Sequence, residues 1–305
     1  MPIISYAVRG RFGNNLFQYF ATHVLKKLLN ELREKTNQTP YEFKYKNEIR
    51  PFQPYLESAP DGFVQVDDQQ FLKYYSQLRN GEYPKELQGD KNIWMFGFYQ
   101  FNQFLIDNLE FVKSLFSVEN PDIINDQVPM NQFAYQVKVV NSPKVTGTNV
   151  SENHLYLHTR LDDFIQHGND NNIITYQSYV KLITDIVKEN QHGTKMIDSV
   201  TIVVDKVKRD FEVFYLTNLI KEISKINVTP QVKCSYHSGN MWQDFSMLYY
   251  AKNLVCSNST FSWWAGLLGE STQNWFPDTM NYYDNQQFDK INDKTKIYKI
   301  EYWRN

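Results

Sequence analysis

The sequence predicts an α/β fold in two parts with parallel strands, and three observations carry that reading. Its 305 residues exceed the usual span of one hydrophobic core, so two domains or one large α/β domain are expected. Beyond residue 150, short apolar runs alternate with amphipathic stretches, the pattern of strands joined by crossover helices. Before that point, Asn120 to Asn153 collects Pro121, Pro129, Pro143 and Gly147 among Asn, Ser and Thr, and periodicity stops at about Val140. A domain boundary is therefore placed at residue 150, with domains 1–150 and 151–305.

In the first part, Ile3 to Val8 reads as a short buried strand and Arg9 to Asn14 as a loop with glycines at Gly10 and Gly13. Leu16, Tyr19, Phe20, His23, Val24, Lys27 and Leu28 then follow i, i+3, i+4 spacing, as in an amphipathic helix laid on a sheet. Asn30 to Pro60 is polar and irregular, and Trp94 to Tyr99 reads as a buried strand followed by a helix to about Phe116. In the second part the expected strands are His154 to His158, Ser199 to Val204, Gln231 to Ser235 and Asn253 to Cys256. Helices are expected at Thr175 to Glu189, Phe211 to Ile223, Trp242 to Ala251 and Phe261 to Gly269. This alternation implies right-handed crossovers and a Rossmann-like half, whose ligands bind outside the carboxyl ends of the strands.

Composition narrows the function. With 42% apolar and 22% charged residues the chain is an ordered globular protein. Lys and Arg number 32 against 34 Asp and Glu, a formal net charge of −2, so no global field gathers nucleic acid or anionic lipid, and an anionic ligand must be held by local groups. Cys234 and Cys256 lack metal-ligand spacing and predict two free, largely buried thiols in a reducing compartment. Met1 to Arg11, broken by Arg9 and Gly10, is too short for a membrane span and lacks a signal-peptide layout. The expectation is a soluble cytoplasmic protein without a transmembrane anchor.

Three segments directly after predicted strands carry the candidate chemistry. In Gly10-Arg11-Phe12-Gly13-Asn14-Asn15 the glycines allow either close backbone approach to a ligand or simply a tight strand-to-helix turn. In His158-Thr159-Arg160-Leu161-Asp162-Asp163, Arg160 can bind a diphosphate through two donors or form a salt bridge with Asp162 or Asp163. His158 alone reads as a packed strand histidine. The third is Ser257-Asn258-Ser259-Thr260 before Phe261-Ser262-Trp263-Trp264, where small polar residues cap a helix whose start attracts anions, or cap an ordinary core helix.

Taken together these segments resemble glycosyltransferase family 11, the α-1,2-fucosyltransferases. Gly10 to Tyr19 is similar to the family's G-x-x-G-N-x-x-F-Q-Y motif, His158 to Asp163 to its H-x-R-R-x-D motif, and Asp244 through Trp264 to its C-terminal motif. The resemblance implies a GT-B-like fold, two Rossmann-like domains facing a cleft. It further implies metal-independent transfer of L-fucose, with inversion, from GDP-β-L-fucose to the 2-OH of a terminal galactose on a glycan acceptor. By motif position Arg160 binds the diphosphate, Ser259, Thr260 and Phe261 surround the phosphate, and Gly13 and Asn14 approach the donor from the other domain. His158, Asp205 and Asp244 complete the donor set, and Asp163 is the carboxylate nearest by motif position for the role of general base. No Asp-x-Asp metal pair occurs in the sequence. The chain departs from the family at Leu161, where the second motif Arg is missing, and at Val203-Val204-Asp205-Lys206, where only Asp205 matches. Two other readings stand beside this one: a GT-B transferase using another GDP-sugar, and a catalytically silent glycan- or nucleotide-binding homologue.

Overall fold

A computed structural model describes residues 1–7, 10, 12–44, 49, 58–116, 151–161, 164–165, 172–190, 196–239, 241–280, 283–284 and 294–303. The chain divides into two compact units, Met1–Asn141 and Ser142–Asn305. Both are built on parallel α/β sheets. Most of the proline-rich stretch read as a boundary lies outside the described residues.

The N-terminal unit holds β1 (Ile3–Tyr6), α1 (Phe12–Lys35), β2 (Glu42–Phe43), β3 (Phe63–Val66), α2 (Asp68–Arg79), β4 (Asn92–Met95), α3 (Asn102–Asp107) and α4 (Leu109–Leu115). Its four strands run in the order β2-β1-β4-β3, all parallel. The crossovers β1-α1-β2 and β3-α2-β4 step the same way across the sheet, so right-handedness puts α1 and α2 on one face, where they pack together. Helix α1 starts at Phe12, so Gly13 and Asn14 lie in its first turn and not in a loop. Gly10 stands at φ +73° between β1 and α1, a conformation that glycine adopts without strain. The helix also runs on to Lys35, and Glu42–Phe43 pairs with β1, so the polar stretch from Asn30 is less irregular than its composition implies. Its buried seam passes through Val24, Leu25, Leu29 and Arg33, whereas Lys27 and Leu28 are only half-buried. Helix α2, absent from the sequence reading, begins with a capping box: Asp67 Oδ1 accepts from Gln70 N at 2.8 Å and Gln70 Oε1 from Asp67 N at 2.9 Å.

The C-terminal unit holds β5 (His154–Thr159), α5 (Tyr176–Glu189), β6 (Ser199–Val204), α6 (Asp210–Ser224), β7 (Lys233–His237), α7 (Met241–Tyr250), β8 (Asn253–Val255), α8 (Thr260–Leu268) and β9 (Gln273–Pro277). A small ribbon of β10 (Thr279–Met280) and β11 (Tyr283–Asp284) precedes β12 (Thr295–Tyr298). The six-stranded sheet has the order β12-β9-β8-β5-β6-β7, which is the doubly wound Rossmann order. The expected strands and helices all appear, shifted by one or two residues at their ends, while β9 and β12 extend the sheet beyond them. Strand β5 is buried at all six positions because helices cover both of its faces. Leu155 and Leu157 join Tyr179, Ile183, Ile186 and Val187 of α5 in the main core, the last four spaced so that α5 presents a single apolar stripe.

Candidate functional site

In a sheet of this order the chain winds outward from β5 in both directions, so the candidate ligand position lies at the carboxyl ends of β5 and β8. Those two ends carry two of the three segments singled out in the sequence. β5 runs through His158 into Arg160, and β8 runs through Cys256 into Ser257 and the start of α8. His158 Nδ1 and Ser257 Oγ are 2.7 Å apart, a direct link between the two.

The turn after β8 is held by its own side chains. Ser257 N donates to Ser262 Oγ at 3.1 Å, and Ser262 Oγ donates to Ser259 O at 3.3 Å. Ser259 caps α8 by accepting from Phe261 N at 3.3 Å, and Asn258 Nδ2 donates to Asn172 O at 2.7 Å. Cys256 N donates to Trp275 O, and Tyr298 OH donates to Cys256 O at 2.6 Å, which anchors the approach to the turn from β9 and β12. Trp263 and Trp264 are fully buried and pack edge to face at 4.9 Å, so they seat the helix. This arrangement presents a helix start at the switch point, where backbone N–H groups and the dipole favour an anion. The N–H of Phe261 is engaged by the cap.

His158 is buried, and burial first, then the charge of Arg160, pushes its pKa down to about 3. It is neutral at pH 7 and adds no charge to the site. Its ring lies 5.5 Å from that of the half-buried Phe261, which in turn packs edge-on against Phe245 of α7 at 5.3 Å. Arg160 is half-buried, with its guanidinium carbon 4.5 Å from the ring of Phe164. Leu161, at the place of the second motif Arg, is buried in the core of this unit. Asp163 lies outside the described residues.

The carboxyl ends of β6 and β7 bring together Asp205, His237, Gly239 and Asp244. Asp244 is buried at the head of α7 and accepts from Gly239 N at 3.0 Å. Burial, aided by the negative charge of Asp205, raises its pKa to about 7. His237 Nε2 lies 3.2 Å from Asp244 Oδ1, and burial lowers the pKa of that imidazole. A side chain at Gly239 would have to enter this cluster, since its Cβ would fall 2.6 Å from His237 Nε2 and 2.9 Å from Asp244 Oδ1. The sequence reading missed His237 because it ended that strand at Ser235; residue 237 is the last of β7 and therefore at the ligand edge.

In the N-terminal unit, Gly10 and Asn14 are in close contact, and Gln100, after β4, donates from Nε2 to Asn14 Oδ1 at 2.8 Å. Gly13 is buried beside them in the first turn of α1. Gln100 was not singled out in the sequence; its place just after a strand end was the available signal. Among the described residues no group of three or more His, Cys, Asp or Glu is arranged to hold a metal ion, and no helix is long and apolar enough to cross a membrane.

The fold defines a two-unit α/β protein whose C-terminal sheet has its switch point between β5 and β8, the place where such sheets take ligands. Compared with known proteins, the chain matches no family model and no curated protein. The structure of a mutant of Arabidopsis thaliana FUT1 in complex with GDP is similar over 90% of this chain and 70% of that chain, at 11% sequence identity and a TM-score of 0.47. A likeness that loose carries no argument about this chain.

Proposed function

We propose that the chain is a GDP-sugar glycosyltransferase, and more narrowly a fucosyltransferase that moves L-fucose from GDP-β-L-fucose to the 2-OH of a terminal galactose on a glycan, with inversion and without a metal. The observation that carries this reading is the 2.7 Å contact between His158 and Ser257, which unites the H-x-R segment and the S-N-S-T-F-S segment at one switch point. Two motif segments whose contacting residues lie 99 positions apart in the chain meet through this contact, which supports reading them as parts of one site. The GDP-fucose donor and the α-1,2 linkage come from the motif resemblance.

In this mechanism the acceptor hydroxyl oxygen attacks the anomeric carbon, its proton passes to a carboxylate, for which Asp163 is the candidate, and the bond to the β-phosphate oxygen breaks. GDP leaves with its electron pair. Charge grows on the departing phosphate, where the Arg160 guanidinium and the start of α8 are the fixed positive groups that lower the barrier. Ser259, Thr260 and Phe261 frame the phosphate, Asp205 and Asp244 lie toward the nucleoside side of the same strand edge, and Gly13 and Asn14 are assigned to the donor by motif resemblance.

The test is a donor and acceptor screen with GDP-fucose, GDP-mannose and UDP-galactose, reading GDP or UDP release with and without a β-galactoside, followed by linkage analysis of the product. Acceptor-dependent GDP release from GDP-fucose and an α-1,2 product support the reading. Preference for GDP-mannose moves the chain to another GDP-sugar. A GDP-sugar that raises the melting temperature without any turnover marks a silent binding protein.

A further inference from the structure

Strand register links the start of the H-x-R segment to a buried carboxyl group within the C-terminal unit. His158 of β5 pairs with Val203 of β6, and Val203 pairs with His237 of β7. The two histidines therefore lie in one row on one face of the sheet, two strand spacings or about 10 Å apart. α7 packs on that face, since Phe245 meets Phe261 at 5.3 Å and Phe261 meets His158 at 5.5 Å. The residue before Phe245 is Asp244, whose Oδ1 lies 3.2 Å from His237 Nε2.

The contacts of Asp244 fall on one oxygen. Oδ1 accepts from Gly239 N at 3.0 Å and faces His237, and among the described residues nothing hydrogen-bonds Oδ2. About 10% of the side chain stays exposed. The turn that delivers the Gly239 N–H needs glycine, because a Cβ there would fall 2.6 Å from His237 Nε2, 2.8 Å from Gln243 Oε1 and 2.9 Å from Asp244 Oδ1. The carboxyl is thus oriented, with Oδ2 left for a partner. Among the described residues no lysine or arginine pairs with it, and burial, followed by the charge of Asp205, raises its pKa to about 7. A carboxyl in that state is drawn into ionising by a ligand that donates to it, because the ionised form only accepts. Guanine has such an edge, a ring N–H beside an amino group, whereas adenine sets a ring acceptor beside its amino group.

We propose that Asp244, oriented by Gly239 and His237, reads the N–H edge of the donor's guanine, and that binding of the nucleotide sugar below neutral pH releases one proton from this carboxyl. The inference rests on the GDP-sugar reading of the site, in which the diphosphate meets Arg160 and the start of α8 and the ribose spans the row toward β7. The carboxyl O–H bond breaks, its proton passes to solvent, and the resulting anion accepts from the base. The other titratable groups facing Asp244 are His158 on β5, Asp205 after β6 and His237 on β7. α8 carries none, and α7 adds only Tyr249 and Tyr250. His158, at about 3, and Tyr249, at about 12, each keep one state between pH 5.5 and 8.

The experiment is titration calorimetry of the chain with GDP-fucose at pH 6, in two buffers of different ionisation enthalpy, followed by affinities from pH 5.5 to 8. The diphosphate of a nucleotide sugar is esterified at both ends and lacks the phosphate ionisation near pH 6, so the ligand supplies no proton. The expected result is about one proton released at pH 6 and an affinity that rises about tenfold or more from pH 5.5 to 8, levelling off above about 7. Asp244→Asn keeps an oxygen for Gly239 N and should bind with no proton release and a flat profile. GDP-mannose, which has the same base, should release the same proton, and ADP-glucose should bind about tenfold more weakly. Wild-type binding without proton release, or equal release in Asp244→Asn, overturns the proposal, while turnover of GDP-fucose in the same preparation leaves the transferase reading standing. A wild type that binds no nucleotide sugar overturns both.

Discussion

His158 Nδ1 and Ser257 Oγ meet at 2.7 Å, both buried, at the ends of the two strands that flank the switch point. Because the imidazole is neutral, the contact is an ordinary hydrogen bond whose strength comes from exclusion of water. Ser262 Oγ cannot replace Ser257 freely, since it already receives Ser257 N. Ser257→Ala is therefore expected to leave Nδ1 buried without a partner and to cost about 1–3 kcal/mol in urea unfolding, with Ser257→Thr restoring most of it. An alanine variant with the wild-type midpoint would show that the two strand ends do not depend on this link.

Arg160 is a different case, because it is half-buried at the end of β5 and rests on the ring of Phe164. Arg160→Ala should leave the melting temperature nearly unchanged and reduce transfer from GDP-fucose by about a hundredfold or more, the size of effect expected when a fixed group at a developing charge is removed. Arg160→Lys keeps the charge but loses the two-donor fork, so it should recover only part of the rate. Retained turnover in the alanine variant removes Arg160 from the mechanism.

The C-terminal half was legible because its strands are short, mostly apolar and β-branched runs such as Ser199–Val204, bounded by helices with clean stripes such as Tyr179, Ile183, Ile186 and Val187. The candidate positions of its site were legible for the same reason, since strand ends mark where such sheets take ligands once the alternation is seen. What escaped were features that local pattern does not encode. β2 is two residues long and exists only through pairing with β1. β12 is a strand through its pairing with β9, and half of its residues are buried. Gln100 gains its meaning from Asn14, 86 positions away. Leu161 looked like a lost charge in the sequence, whereas its side chain is a core residue.

Gly10 and Gly62 provide a matched pair for separating backbone cost from displacement of a neighbour. Both lie at positive φ, +73° and +80°, so alanine strains the backbone at either position. At Gly62 the added methyl meets nothing within 4 Å, whereas at Gly10 it would lie 2.4 Å from Asn14 Nδ2. Each alanine is expected to cost about 1 kcal/mol in stability. Only Gly10→Ala should also lower kcat/KM for GDP-fucose, by moving Asn14. Equal kinetic effects at the two positions would detach Asn14 from the donor.

The two buried titratable groups of the C-terminal site bend stability against pH in opposite directions. His158 binds its proton more weakly folded than unfolded, so its contribution is complete above about 6.5 and is lost as pH falls toward about 3. Asp244 binds its proton more tightly folded, so stability is lost as pH rises from about 3.8 to about 7. Burial is the first cause in both, and burial also lowers the pKa of His237, 3.2 Å from Asp244. Each group changes stability by up to about 1.4 kcal/mol per pH unit within its window, so between about pH 4 and 6.5 they largely cancel. Asp244→Asn retains an oxygen for Gly239 N but removes the titration. Its melting temperature should therefore climb more steeply than that of wild type between pH 4.5 and 7, with the gap in its favour greatest near pH 8. Melting curves that run parallel from pH 4.5 to 8 would mean that Asp244 ionises in the folded protein as readily as in the unfolded chain.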